Sequence, residues 1–430
     1  MASLWRIQGN LMTVRQRSSS AQGVAGHLAS LDGLRGMAVL GVMASHLFPG
    51  NYGAGGWLTR TVGHIFLFGS KGVDLFFVLS GFLITGILFD SLSDTAYFRR
   101  FYARRALRIF PLYYGVILVL LVLTPWLGIV WHGVQWSLLF YMQNTSLATP
   151  IWDFKLPHGL DLIHFWSLAV EEQFYLVWPL AVFLIRDRRR LLGWCFAISC
   201  ASLVLRFVLA FRGVPYLYIN SGTLCRADSL LAGAALALLV RGPAKERVLA
   251  WGRWMLVGAA AVLVALSAAA GVLEQSARWA GVSSSTWLAL NYTFFALGSA
   301  GLIAWCLRRD SVVAGVFEND ALRWFGKYSY GIYVLHLVAL RFFLDIFHGW
   351  FKHLTGNKPA IDLASGFTMF GLAVLMAYVS YNVYEQPFLR LKRYFHYDRP
   401  ERIPVSEASA VDEDSVREVQ REMPSSSYTG

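Results

Sequence analysis

Ten separate runs of roughly 16 to 23 mostly apolar residues constrain this chain more than any other feature, since that length lets an α-helix cross about 30 Å of hydrocarbon. The runs are Asp32–Pro49, Gly72–Phe89, Leu107–Leu127, Phe165–Ile185, Leu191–Phe211, Cys225–Val240, Trp251–Gly271, Trp287–Leu307, Phe325–Phe347 and Phe367–Phe388. They predict an all-α, polytopic integral membrane protein with about ten transmembrane helices. Composition agrees: 56% hydrophobic and 15% charged residues is more apolar surface than a soluble fold of this size can hide.

Orientation follows from Lys and Arg, which are retained on the cytoplasmic side. The basic connections hold Arg99, Arg100, Arg104 and Arg105, then Arg186 to Arg190, Arg241 to Arg247, Arg308, Arg309 and Arg323, and finally Lys392 and Arg393. They follow every second span, on the side of an N-terminal arm with Arg6, Arg15 and Arg17. Both termini are therefore expected in the cytoplasm, and the net charge of +12 is read as topology and headgroup contact, with no nucleic acid as partner. The expected organisation is an arm over 1–29, a membrane domain over 30–390 and a polar, disordered tail over 391–430. No apolar core precedes a cleavage site in the first thirty residues, so the first span is expected to act as its own insertion signal. Cys195, Cys200, Cys225 and Cys306 form no CxxC pair and are read as packing residues; no metal site is expected.

Ionisable groups within a bilayer are costly and mark cavities or partners. In the first span, Arg35 and His46 are eleven positions apart, about 20° beyond three full turns, which puts them on one face about 16 Å apart along the axis. A snorkelling Arg with a hydrogen-bonded core His fits that spacing as well as a reactive pair does. At the start of the fourth span His164, Ser167, Glu171 and Tyr175 share a face, while Glu172 points about 100° away, toward a different neighbour such as Arg206 or Arg226. Ser329, Tyr333 and His336 make a polar stripe on the ninth span, suited to a wetted cavity or to interhelical hydrogen bonds. Before the third span, Arg104, Arg105 and Arg108 can converge on one cytoplasmic face; they fit phosphate binding and a plain positive-inside cluster alike. Trp131, Trp136, Tyr141 and Trp152, with His132 and His158, fill the loop between the third and fourth spans, where they fit sugar stacking or an interfacial belt.

Taken together, these segments resemble the membrane-bound acyltransferase-3 family from about Ser30 to Phe388. The resemblance rests on the Arg–ten residues–His pattern at Arg35 and His46, the segment Gly72 to Phe82 with Asp74, and the Arg-Arg-x-x-Arg run at Arg104, Arg105 and Arg108. Ser167 to Tyr175, Arg226-Ala227-Asp228, Tyr328-Ser329-Tyr330 with His336, and Glu385-Gln386-Pro387-Phe388 complete it. It implies transfer of an acyl group, most often acetyl, from cytoplasmic acyl-coenzyme A to a glycan or lipid-linked acceptor, in a bacterial inner membrane. It further implies that Arg104, Arg105 and Arg108 hold coenzyme A phosphates, and that Arg35 and His46 lie on the acyl-transfer path. A neutral imidazole is the usual general base near pH 7, so His46 is expected in that role. Glu171 is expected to orient a histidine or bind acceptor hydroxyls, and Tyr333, Ser329 or an arginine to supply oxyanion donors, the choice among them staying open. Direct transfer and an acyl-histidine intermediate both remain open. Some members carry a fused SGNH-type hydrolase domain; the 42 residues after Phe388 are too few for one, so a second transfer step is expected to need a separate partner. The rival expectation is a secondary transporter without covalent chemistry, although no inverted repeat of broken helices is visible; a scaffold protein is the third.

Overall fold

The computed structural model describes residues 29–47, 68–131, 135–145, 162–274, 280–308, 311–354 and 358–396. The arm with Arg6, Arg15 and Arg17, the loop residues His132, Trp152 and His158, Arg309, and the tail past residue 396 lie outside them. The described helices are α1 (Ala29–Leu47), α2 (Gly72–Asp90), α3 (Tyr97–Leu127), α4 (Phe165–Ile185), α5 (Arg188–Phe211), α6 (Tyr216–Ser221), α7 (Thr223–Leu239), α8 (Lys245–Glu274), α9 (Ala280–Cys306), α10 (Val312–Phe317), α11 (Asp320–Leu354), α12 (Lys358–Ser380) and α13 (Gln386–Arg390). A π-helical turn at Tyr381–Glu385 joins α12 to α13.

Each expected apolar run falls largely on helix, with Phe48 and Pro49 outside the described residues and the last run shared between α12, the π-helical turn and α13, and several helices begin earlier than hydropathy alone predicts. Helix α3 starts at Tyr97 rather than Leu107 because its arginine run is itself a good helix former. Helix α5 starts at Arg188, where the Asp187 side chain caps the Arg190 amide at 2.8 Å. Eight helical segments among the described residues are long and apolar enough to cross a membrane; a count of ten would require α1 and α11 as well. These are the two that carry the Arg35–His46 and Tyr333–His336 stripes. Leu118, Val119, Val122, Leu176, Val177, Trp194 and Phe196 project outward, large side chains that only a lipid phase accommodates in such number.

Two close seams set the interior. A Cβ on Gly81 would run into the Leu230 carbonyl and one on Gly233 into that of Val78, so α2 and α7 touch backbone to backbone. The Arg226–Asp74 ion pair near one end and the Arg241–Asp90 pair near the other show that these two helices run parallel. The second seam joins α1 to α11, where Gly36 abuts Leu322 and Gly326 abuts Asp32. His46 meets His336 farther along, so α1 and α11 are parallel too. This seam lays the two polar stripes face to face.

Candidate functional site

Polar groups gather at three levels along α1. At its Ala29 end a cavity of about 320 Å³ opens between α1, α3, α11 and the chain after α12. Four cations, Arg35, Arg108, Lys327 and Lys392, line it against two carboxylates, Asp32 and Glu385. Arg35 donates to Asp32 Oδ1 at 3.3 Å, the Glu385 carboxylate accepts from Ser380 at 3.0 Å, and the Lys327 ammonium lies 5.0 Å from the rings of both Tyr328 and Tyr381. The excess of positive charge and the guanidinium donors suit a phosphorylated ligand, and the volume lies near the low end for small-molecule sites.

The three arginines of α3 all lie within electrostatic reach of Lys392, but each has its own contacts. Arg108 enters the cavity, while Arg105 packs over the Tyr175 ring at 5.7 Å. Arg104 donates to the backbone carbonyls of Lys392 and Phe395, at 3.3 and 3.1 Å. A spacing of four residues aligns Arg104 with Arg108 on the helix, but the chain after α13 places its carbonyls on the first while its Lys392 lines the cavity beside the second.

At the middle level, Glu171 accepts from Ser80 at 2.9 Å and from Tyr175 at 3.1 Å, and the Tyr175 and Ser80 hydroxyls lie 3.0 Å apart. Arg35 and Arg105 are within electrostatic reach of this carboxylate. Glu172 lies within electrostatic reach of Tyr113, Tyr141, Tyr330 and Arg105, and its buried Oε1 has no hydrogen-bond partner among the described residues. The expected pairing of Glu172 with Arg206 or Arg226 is therefore corrected. Arg206 makes a two-pronged pair with Asp228, at 3.0 and 2.7 Å, and Arg226 pairs with Asp74 between α2 and α7. Those aspartates lie on α2 and α7 in direct contact with the arginines, whereas the charged neighbours of Glu172 are Glu171 and Arg105.

The third level is a cluster of imidazoles. His46 Nδ1 and His336 Nε2 are 3.1 Å apart, and His336 Nδ1 lies 2.6 Å from the Tyr333 carbonyl. The His164 ring packs edge-on to His336 with centroids 4.9 Å apart, and its Nε2 is 3.1 Å from the Val334 carbonyl. The Tyr333 hydroxyl is 2.5 Å from Ser167 and 3.0 Å from the His164 carbonyl. Ser329 does not join this cluster: its hydroxyl donates to Gly326 of its own helix at 2.8 Å, one turn back toward the cavity. In the loop after α3, Tyr141 is buried and stacked on Tyr113 with centroids 4.2 Å apart, which removes it from any sugar-facing surface, while Trp136 stays exposed.

Sequence reasoning missed Lys327, Lys392 and Ser80 as site residues. Ser80 lies inside the Gly72 to Phe82 segment with nothing to single it out, Lys392 reads as an ordinary cytoplasmic charge, and Lys327 opens the ninth span without a role of its own. His164 was placed on the right face of α4 without a role.

The chain matches a family model described as an acyltransferase domain over residues 28–381. It is 31% identical over 332 residues to the peptidoglycan O-acetyltransferase OatA of Listeria monocytogenes, an alignment covering 72% of this chain and 49% of that one. A putative peptidoglycan O-acetyltransferase of Bacillus subtilis is 31% identical over 331 residues, covering 72% and 48%. A putative O-acetyltransferase of Staphylococcus aureus is 28% identical over 384 residues, covering 84% and 57%. The chain thus spans about half the length of the curated relatives it matches. No solved structure matches it.

Proposed function

This chain belongs to the acyltransferase-3 family, and from that premise we propose that it moves an acyl group, acetyl in the first instance, from cytoplasmic acyl-coenzyme A to a glycan hydroxyl. The acceptor class we favour is peptidoglycan or its lipid-linked precursor, by the names of the relatives. In this reading α1 and α11 are also spans, both termini are cytoplasmic, and the Ala29 end of α1 faces the donor.

The observation that carries the reading is the order of polar groups along one helix. Arg35 opens into a cationic cavity at one end of α1, and His46 meets a second imidazole about three turns away. Arg35, Arg108, Lys327 and Lys392 would hold the donor's phosphates through charge-assisted contacts, and its long flexible arm would carry the thioester toward the histidines. His46 takes the proton from the acceptor hydroxyl as that oxygen attacks the thioester carbonyl. Glu171, held by Ser80 and Tyr175 between the two ends, would order the path and keep Arg35 and Arg105 in place.

Purified protein in detergent, given acetyl-coenzyme A and a soluble glycan fragment, should release free coenzyme A thiol with matching acetyl ester on the glycan. Flux of a solute across proteoliposomes with no thiol released would favour the transporter instead.

A further inference from the structure

Two neighbouring backbone carbonyls of α11 face two of the clustered histidines. A carbonyl oxygen can only accept, so the 2.6 Å contact from Tyr333 requires the proton of His336 to sit on Nδ1. The neutral His336 ring then carries its lone pair on Nε2, the atom that faces His46 Nδ1 at 3.1 Å. Two lone pairs cannot bond each other, so His46 must donate from Nδ1. Its own lone pair is therefore on Nε2. The Val334 carbonyl fixes His164 by the same logic, with the proton on Nε2 and the lone pair on a buried Nδ1 that has no hydrogen-bond partner among the described residues.

We propose that His336 is a positioning residue that locks His46 in the Nδ1-protonated tautomer, so that His46 Nε2 is the atom that takes the acceptor's proton. His336 stands where a carboxylate orients the base in a hydrolase triad, and the backbone carbonyl of Tyr333 orients His336 in turn. His336 is fully buried in the α1–α11 seam, so helix packing holds the relay. In the transfer step the hydroxyl proton passes to His46 Nε2 while the hydroxyl oxygen forms a bond to the acyl carbon. The carbon–sulfur bond breaks with its electron pair on sulfur, and the proton on Nε2 is then passed to the thiolate. His46 keeps its Nδ1 proton throughout, still donated to His336. This inference rests on the reading of His46 as the base.

The test combines ring-nitrogen NMR on protein labelled with ¹⁵N-histidine and steady-state kinetics with acetyl-coenzyme A, the His46 signals being those that vanish in His46→Ala. Wild type should show His46 protonated on Nδ1. His336→Leu should shift it toward the Nε2-protonated form and lower kcat by about 100-fold, within the range general-base catalysis spans, with the donor KM changed less than about 3-fold. His336→Gln, whose side-chain oxygen can accept the same N–H, should restore most of kcat; should the Leu variant not fold, the wild-type spectrum and the Gln variant decide. An Nε2-protonated His46 in wild type overturns the proposal. So does near-normal kcat in His336→Leu when His46→Ala is inactive, an outcome that spares the base reading. Turnover by folded His46→Ala removes the base itself.

Discussion

At the scale of single residues, Asp74 and Arg226 carry the sharpest energetic consequence. Both are almost completely buried, and the guanidinium also stacks on Tyr292 with 4.0 Å to the ring centroid. Deleting one member of such a pair leaves the other charge buried and uncompensated, which costs about 3–5 kcal/mol, whereas replacing both by apolar groups is far milder. Asp74→Ala is accordingly expected to lower the melting temperature in detergent strongly, and Asp74→Leu with Arg226→Met to recover most of the loss. Equal melting of wild type and Asp74→Ala would show that the pair contributes nothing to stability. Sequence reasoning could place Asp74 and Arg226 among the polar groups at membrane depth, because charge in an apolar run stands out. It could not pair them, since the residues are 152 positions apart and only the α2–α7 seam brings them together.

At the scale of elements, the α3 arginines show where helical periodicity stops being informative. A spacing of three or four residues says which side chains share a face, and says nothing of what packs on that face. Arg104 and Arg108 share one, yet Arg104 bonds the chain at Lys392 and Phe395 while Arg108 lines the cavity. The Arg35–His46 stripe was legible for the same reason that its partner was not: the stripe lies on α1, and His336 comes from a helix 290 residues away. Because Arg104 holds the segment that supplies Lys392, Arg104→Ala should free residues 391–395 for limited proteolysis and raise the donor KM several-fold, with kcat little changed. Arg104→Lys, which keeps one donor, should protect the segment partly. Unaltered proteolysis in Arg104→Ala would return Arg104 to the role of direct phosphate ligand.

At the scale of the whole molecule, the helical membrane architecture was readable because apolar length is a one-dimensional signal, and the family because its motifs run in order over most of the chain. The count of spans is softer where function enters. Helices α1 and α11 carry the polar stripes, and polarity lowers the hydropathy that marks a span. The central claim is that donor binding and transfer chemistry sit at opposite ends of α1, and separating them in variants tests it most directly. Coenzyme A affinity and acyl transfer per folded molecule should be measured side by side for wild type, Arg108→Ala and His46→Ala. The account predicts that Arg108→Ala loses affinity about 10-fold or more in a salt-sensitive way, as for a phosphate contact, and that His46→Ala binds coenzyme A normally and transfers about 100-fold more slowly or not at all. Normal affinity in Arg108→Ala together with near-wild-type transfer by folded His46→Ala would contradict it.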